Sequence, residues 1–462
     1  MSPTAVALDL HDIQGDILLA HGNAYTRTTY VFVGIDEPTR GRDWVGAMLE
    51  HVTTAVLRPS SERPPRAINL AFTAAGLRKL GVPERAMKTF SAEFLEGMAG
   101  RAEVLGDTGP SAPSTWDEGF GRGAAHALVT VNALGERELE AALGDVREEV
   151  VRFGLHVVAE QHAQLLDGSR EHFGFADGFA QPAVEGITDD KAAGGGVPLE
   201  DGGWRALAPG EFILGYPDED SRVDSAGGLP NAPADPLGRS GTYMVWRKLR
   251  QDVALFRRTV RAAAARYPGG ERELRAKVVG RWDDGAPLVT HPDRAPDGFD
   301  GRARGANDFT YDGPDADGAR CPLGAHVRRS NPRDALGFEG RLSFRHRIIR
   351  RGMPYGEPLP EGVTQDDGTD RGLVFVCFNA SISRQFEGIQ VQWLNDGNIF
   401  GLGHDSDYLL GGANGGSMVI QAHPPDAPFY LSPQGPFVTT RAGEYLFAPG
   451  IAALAALADG IA

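Results

Sequence analysis

The chain is poor in cysteine and carries no excess of positive charge. Only Cys321 and Cys377 occur among its 462 residues. Two cysteines are too few for a disulfide framework; they suit a reducing compartment, although the count is compatible with one buried pair. With 46 Lys and Arg against 62 Asp and Glu, the formal net charge is −16, which disfavours generic binding to nucleic acid or to anionic membranes. Any anionic ligand must therefore bind in a local basic pocket.

Long apolar runs are also missing. Residues 1–10 lack the basic and apolar regions of a secretory signal, and no twin arginine accompanies them. The apolar tract 450–462 is short, rich in alanine and interrupted by Asp459, so it predicts a terminal helix that packs on the body and not a membrane span. We expect a cytoplasmic protein.

The apolar patterns of the first half predict an α+β fold. Strand-like segments rich in β-branched and aromatic residues are separated by segments with helical apolar spacing. The predicted strands are 28–35, 67–72, 125–131 and 155–162, and the predicted helices are 43–52, 73–80, 83–98 and 136–152. The order β-α-β-β-α-β is the ferredoxin-like arrangement, with helices on one face of an antiparallel sheet.

The second half shows a similar alternation after a stretch rich in Gly, Pro and Asp between 189 and 241, where we place a domain boundary. That stretch contains a predicted short strand at 210–216. Beyond it the sequence predicts strands at 241–249 and 372–379 and helices at 251–267, 270–282 and 382–393. Since 462 residues exceed the usual span of one core, we interpret the two halves as diverged copies of one α+β design.

One histidine lies among arginines in the segment 321–333. His326 follows a small-residue turn and precedes Arg328, Arg329 and Arg333. The combination suits a metal centre that carries carboxylates, and we interpret His326 as the ligand of a haem iron. A histidine beside arginines is by itself more often structural, so this interpretation depends on what the rest of the chain supplies.

Two further segments could supply an acid and a cation. In the loop 171–182, Gly174 and Gly178 bracket Asp177 between aromatic residues, and apolar surroundings are expected to raise the pKa of its carboxyl. Taken alone, Asp177 and Gly178 are better explained as a turn pair. The basic segment 345–356, which contains Arg350, could likewise be a solvated face with paired charges.

Together these segments resemble the dye-decolourising peroxidases, a family of haem proteins built from two ferredoxin-like domains. The resemblance runs from 12–18 through the Gly-x-x-Asp-Gly motif at 174–178 and the segments of His326 and Arg350 to 385–387, and it is greatest to the larger, signal-less subgroup. It implies an N-terminal domain, 1–215, that carries the distal aspartate loop. It also implies a C-terminal domain, 216–462, that holds most of a heme b cofactor.

The resemblance also implies roles for individual residues. His326 becomes the proximal iron ligand and Asp177 the distal acid/base. Arg350 becomes the distal arginine, with Arg347 and Arg351 as neighbours that could take its place. The remaining expected cofactor contacts are Leu373 and Phe375 on the distal side, Gly178, and Arg328, Arg329 and Arg333 as partners of the haem carboxylates. Relatives often carry an acid near 379–382 that supports the proximal histidine, but this chain has Ser381 there.

The expected reaction is reduction of hydrogen peroxide coupled to one-electron oxidation of small aromatic donors such as dyes and phenols. Asp177 would relay a proton between the peroxide oxygens, and Arg350 would stabilise the departing oxygen. A haem-binding or storage protein, or a specialised haem oxidase on the same fold, remains the alternative. No nucleic acid or membrane partner is expected, and the oligomeric state is left open, with a homodimer as one outcome.

Overall fold

The structure is a computed structural model, and it describes residues 7–19, 24–223, 232–303, 305–412, 415–423 and 425–461. The strands are β1 Arg27–Gly34, β2 Arg66–Phe72, β3 Ala127–Ala133, β4 His156–Gln164, β5 Val197–Pro198, β6 Trp204–Arg205, β7 Thr242–Gln251, β8 Ile349–Arg350, β9 Met353–Tyr355, β10 Gly372–Asn379, β11 Met418–Ile420, β12 Phe429–Leu431 and β13 Val438–Ala448. The α-helices are α1 Gly15–Leu18, α2 Pro38–Leu49, α3 Ala74–Lys79, α4 Glu84–Met87, α5 Ala92–Glu96, α6 Ala102–Leu105, α7 Glu136–Arg152, α8 Ala192–Gly195, α9 Glu219–Val223, α10 Val253–Ala264, α11 Gly270–Val279, α12 His326–Ser330 and α13 Ile451–Asp459.

The N-terminal half forms an antiparallel sheet in the order β4-β1-β3-β2. Its strands are rich in β-branched and apolar residues, which pack well on a pleated surface. Helix α7 buries the stripe Leu139, Leu143, Val146 and Val150, as its helical spacing predicts. The predicted ferredoxin-like arrangement is therefore confirmed for this half.

The C-terminal half repeats the same topology. Its sheet has the order β13-β7-β10-β8, with β9 also paired to β10. Along the chain, β7 leads through α10 and α11 to β8 and β9, then to β10, a π-helix over Ser383–Leu394, and β13. The two sheets join where Phe447 pairs with Phe72. Two ferredoxin-like units are thus confirmed, and the boundary between 215 and 216 stays a prediction.

Three predicted elements differ from the structure, and one long strand was not predicted. The helix predicted over 83–98 is divided into α4, Glu84–Met87, and α5, Ala92–Glu96. The segment 210–216 is not a strand: a 3-10 turn covers Pro209–Glu211, and buried Glu211 pairs there with Arg345 and Arg384, so ion pairing replaces a sheet ladder. The predicted helix at 382–393 is a π-helix. Strand β13 was not predicted, because Arg441, Gly443 and Glu444 interrupt its apolar alternation. The strand is stabilised by its antiparallel pairing with β7, which the local apolar pattern does not reveal.

The C-terminal segment forms the expected short helix, α13, whose Leu454 and Leu457 are buried. A helix with the length and apolar character needed to cross a bilayer is absent from the residues that the structure describes. Cys321 and Cys377 are both buried free thiols, so the pair that the sequence allowed does not form.

Candidate active site

His326 is the first residue of α12. The turn before it closes where the Ala325 N–H donates to the Pro322 carbonyl at 2.9 Å. The Nδ1 atom of His326 lies 3.1 Å from a carboxylate oxygen of Asp407. Because a carboxylate only accepts, Nδ1 carries the proton and Nε2 keeps its lone pair for a ligand.

Asp407 is itself rigidly held. Its side chain is fully buried, and its other oxygen accepts the N–H groups of Leu409 at 2.9 Å and Leu410 at 2.8 Å. Burial by itself would lower the pKa of His326, but the Asp407 carboxylate raises it above its ordinary value. Burial would likewise raise the pKa of Asp407, and the charge of His326 lowers it. The pair therefore orients the imidazole and raises its basicity.

Asp407 was not predicted from the sequence. An acid was expected near 379–382, where Ser381 stands, and the Ser381 side chain contacts Ser383 instead. Asp407 lies 81 residues beyond His326, in an irregular segment without a recognisable motif. The only local signal is a short acidic stretch, Asp405-Ser406-Asp407, which resembles any surface turn.

Asp177 and Arg350 meet as an ion pair. The Nη1 atom of Arg350 lies 3.0 and 3.3 Å from the two carboxylate oxygens of Asp177. Burial would raise the pKa of Asp177, but Arg350 outweighs it and lowers the pKa below its ordinary value. The expectation of a raised pKa was wrong because loop composition does not reveal this cation. Asp177 is thus held as a carboxylate, ready to accept a proton.

Arg350 is fixed through its backbone as well as through its side chain. The Gln181 side chain accepts the Arg350 N–H and donates to the Arg350 carbonyl, both at 3.1 Å. Arg351 turns away and donates to the carbonyls of Asp16 and Ile17. Of the neighbouring arginines, Arg350 is the one that the structure places on Asp177.

A cavity of about 330 Å³ brings most of the predicted residues together. This volume is within the range of small-molecule and cofactor sites. Its walls include the predicted residues His326, Asp177, Arg350, Leu373, Phe375 and Arg333. A second cavity, of about 510 Å³, shares the Asp177 and Arg350 walls and is also bounded by Gly178. Gly178 does not line the first cavity; its N–H donates to Asp177 at 2.6 Å.

Arg328 and Arg329 are not brought into either cavity. Arg328 is buried against Asp315 at 3.1 Å and over the ring of Tyr311 at 4.4 Å. Arg329 donates to the carbonyls of Trp393 at 2.7 Å and Asp405 at 2.9 Å. Arg328, two residues after His326, projects from the opposite side of the helix. Arg329, three residues after His326, is held outside the cavity by the carbonyls to which it donates. They brace α12 and do not contact a ligand there.

Two other arginines leave positive charge in the cavity wall. Arg333 donates to the carbonyls of Asn307 at 2.8 Å and Phe309 at 2.6 Å. Arg347, which also lines the cavity, donates to the carbonyl of Gly196, and its buried Nε has no hydrogen-bond partner among the residues that the structure describes. Burial lowers the pKa of Arg333 to about 10 and that of Arg347 to about 9. Within the described ranges, neither forms an ion pair with a carboxylate, so this wall suits an anionic ligand.

These features fit a haem. Among the described residues, no three His, Cys, Asp or Glu side chains converge as a site for a bare metal ion, whereas a porphyrin needs only one axial ligand such as His326. The unpaired Arg333 and Arg347 match the two carboxylates that a haem carries. Leu373 and Phe375, which alternate towards the cavity along β10, provide apolar walls.

Comparison with known proteins decides the family. The profile of the DyP dimeric alpha+beta barrel domain matches residues 12–165, and that of the Dyp-type peroxidase C-terminal domain matches residues 232–400. The multifunctional dye peroxidase DyP2 of Amycolatopsis sp. is 30% identical, over 97% of this chain and 96% of its own length. The chain belongs to the dye-decolourising peroxidase family. It is a haem peroxidase by that membership.

Other family members show the same likeness. A dye-decolorizing peroxidase of Mycena epipterygia is 29% identical over 98% of this chain and 87% of its own length. The structure of an ancestral D-type dye-decolorizing peroxidase superposes with a TM-score of 0.80 at 29% identity, over 97% of this chain and 99% of that one. A dye-decolorizing peroxidase in complex with 2,6-dimethoxyphenol gives 0.81 at 26% identity, over 98% and 100%.

Proposed function

We propose that this protein is a heme b peroxidase that reduces hydrogen peroxide at Asp177 and Arg350 and oxidises small aromatic donors. The observation that carries the proposal is one cavity lined by a carboxylate-supported histidine, His326, and by the ion pair of Asp177 and Arg350. An imidazole ligand, a proton acceptor and a fixed cation are the groups that peroxide cleavage requires. The family membership gives the same reaction class.

The chain would hold the cofactor through side chains that already face the cavity. His326 would bind the iron through Nε2, which Asp407 leaves unprotonated. Arg333 and Arg347 would bind the two haem carboxylates, and this contact would remove the cost of leaving two buried cations unpaired. When bound, the haem supplies an iron that binds peroxide and exchanges electrons with donors.

Asp177 and Arg350 divide the remaining chemistry. Asp177, held as a carboxylate by Arg350, would accept the proton of the inner peroxide oxygen and deliver it to the outer one. Arg350 would keep its own proton and stabilise the negative charge that develops on the departing oxygen. Their 3.0 Å contact supports a role for both groups on a single peroxide.

The donors are proposed from the chemistry of relatives. The 2,6-dimethoxyphenol in a related structure supports phenols as electron donors, and the family name supports dyes. Donors too bulky for the cavity would deliver electrons through Tyr or Trp residues at the surface. Cytoplasmic location and the homodimer stay predictions from the sequence.

The test compares haem binding and the peroxide reaction. Purified protein supplemented with haem should show a Soret band, and stopped-flow mixing with one equivalent of peroxide should change that band much faster than it does for free haemin. In Asp177→Ala combined with Arg350→Leu, the rate constant should fall at least about 100-fold, because general acid–base catalysis typically contributes 10²–10⁴. Haem that binds but reacts no faster than free haemin would indicate a storage or transfer protein.

Matched substitutions at the surface control for indirect effects. Asp459→Ala and Arg137→Leu make the same side-chain changes at exposed positions, Arg137 being 92% exposed. Both variants should react with peroxide at the wild-type rate. If the double variant at Asp177 and Arg350 matched these controls, the proposed site would be wrong.

A further inference from the structure

The loop that carries Asp177 is closed on itself by backbone hydrogen bonds. The Glu171 N–H donates to the Phe175 carbonyl at 3.0 Å, and the Gly174 N–H donates back to the Glu171 carbonyl at 2.9 Å. The Asp177 N–H then donates to the Ser169 carbonyl at 3.1 Å. A loop of this kind can hold a side chain precisely only if its inner amides are also satisfied.

The Glu171 side chain satisfies them. One of its carboxylate oxygens accepts the Phe175 N–H at 2.9 Å, and the other accepts the Phe173 N–H at 2.8 Å. The Glu171 side chain therefore folds back over its own loop and accepts hydrogen bonds from two backbone amides that are two residues apart. The aromatic rings of Phe173 and Phe175 are buried in the core beside the cavity, so the whole turn is anchored from both sides.

A third hydrogen bond ties this loop to the other half of the molecule. Gln251, the last residue of β7, donates from Nε2 to the oxygen of Glu171 that binds Phe173, at 2.7 Å. Glu171 also lines both cavities that meet at Asp177 and Arg350. It thus joins the aspartate loop to the sheet that carries Leu373, Phe375 and Arg350.

We propose that Glu171 is the positioning residue that holds Asp177 at its working distance from Arg350. This inference rests on the proposed peroxidase function and adds a residue for which neither composition nor the Gly-x-x-Asp-Gly motif predicts a role. Glu171 does not itself touch the reacting atoms. It acts by fixing the loop, since a misplacement of about 1 Å at a reacting group can cost about 100-fold in rate.

This role requires a carboxylate, in which both side-chain oxygens can accept hydrogen bonds. In Glu171→Gln, one oxygen becomes an NH₂ group. If the amide points one way, this donor faces the Phe175 N–H; if it points the other way, it faces the Phe173 N–H. Gln251 can adapt by rotating its amide, because its own Oε1 has no partner in the described part of the chain, but the backbone amides cannot. One buried donor is therefore left unsatisfied in either orientation.

The experiment measures loop order and peroxide chemistry separately. Wild type, Glu171→Gln, the milder Gln251→Leu and the exposed control Glu118→Gln are compared by amide hydrogen exchange of residues 170–178 in the haem-free protein. The same variants are then loaded with haem and mixed with peroxide by stopped flow. Soret position, haem stoichiometry and melting temperature show whether each variant is folded and loaded.

We expect Glu171→Gln to keep its Soret band, to exchange the amides of Phe173 and Phe175 at least 10-fold faster, and to react with peroxide about 10- to 100-fold more slowly. Gln251→Leu keeps both amide bonds and should lose about 3- to 5-fold in rate, and Glu118→Gln should match wild type. Should Glu171→Gln fail to fold, Gln251→Leu decides, with faster exchange and a slower reaction expected.

Two results would overturn the inference: exchange in 170–178 that is unchanged in Glu171→Gln, or a peroxide rate constant within twofold of wild type. The same two results apply to Gln251→Leu where it is the deciding variant. These results differ from failure of the proposed function, which would appear as a wild-type protein without a Soret band or without a peroxide reaction. The exchange measurement on haem-free protein still tests the hold of Glu171 on its loop in that case.

Discussion

The contact between Asp407 and His326 makes a sharp prediction for Asp407→Asn. The Asp407 carboxylate has one oxygen on the amides of Leu409 and Leu410 and the other on His326 Nδ1. An asparagine side chain has only one oxygen, so it can replace only one of the two carboxylate oxygens as an acceptor. Two amide donors compete for it against one imidazole, so the oxygen should stay on the amides and the NH₂ group should face His326.

This orientation reverses the histidine tautomer. With a donor opposite Nδ1, the neutral imidazole keeps its lone pair there and carries its proton on Nε2, the atom that would bind iron. Losing a hydrogen bond to a buried charged group costs about 1.5–3 kcal/mol, which corresponds to roughly 10- to 100-fold in affinity. Loss of the partner of a metal-binding histidine has effects of about the same size.

The assay is a haem titration followed at the Soret band. Asp407→Asn should bind haem about 10- to 100-fold more weakly than wild type, and the bound fraction should show an altered Soret maximum. Asp405→Asn is the matched control, because Asp405 lies in the same segment but bonds to Ser417 at 2.6 Å and not to His326. It should bind haem within about threefold of wild type, a difference under 1 kcal/mol.

One result would refute this reasoning. If Asp407→Asn bound haem as tightly as Asp405→Asn and with the wild-type Soret maximum, the carboxylate would not set the state of His326. The assignment of His326 as iron ligand would then need direct testing with His326→Ala, which is expected to abolish the Soret shift on haem addition.

Three further predictions concern other residues of the cavity. Gln181→Ala removes both backbone contacts of Arg350 and should slow the peroxide reaction about 10-fold while haem affinity is retained; an unchanged rate would exclude this support. Arg347→Met should weaken haem binding yet raise the melting temperature of the haem-free protein, because it removes a buried cation without an acid partner; a lower melting temperature would contradict the anion-site assignment. Because Arg350 lowers the pKa of Asp177, Asp177 should become protonated only below the ordinary pKa of an aspartate. The peroxide rate constant should therefore stay constant from neutral pH down to that pKa and fall below it. In Arg350→Leu the fall should occur at higher pH, and a pH–rate series would show both profiles.

Local pattern was enough for most of the fold. The strands and helices of the first half have regular apolar spacing, so β1 to β4 and α7 could be predicted without tertiary information. Strand β13 could not, because its charged and glycine positions are stabilised by pairing with β7 from far along the chain. The π-helix at Ser383–Leu394 differs from an α-helix in hydrogen-bond register and not in apolar content, so composition cannot distinguish the two.

The sequence by itself determined which residue types were available: one histidine after a small-residue turn, one aspartate between glycines, and two arginine-rich segments. Only the tertiary structure decided how they are used. It selected Arg350 over Arg351, turned Arg328 and Arg329 away from the cavity, left Arg347 unpaired in its wall, and brought Asp407 to His326 across 81 residues. The physical reason is that side-chain direction and long-range contact depend on packing between elements, whereas a linear pattern reports only local conformation.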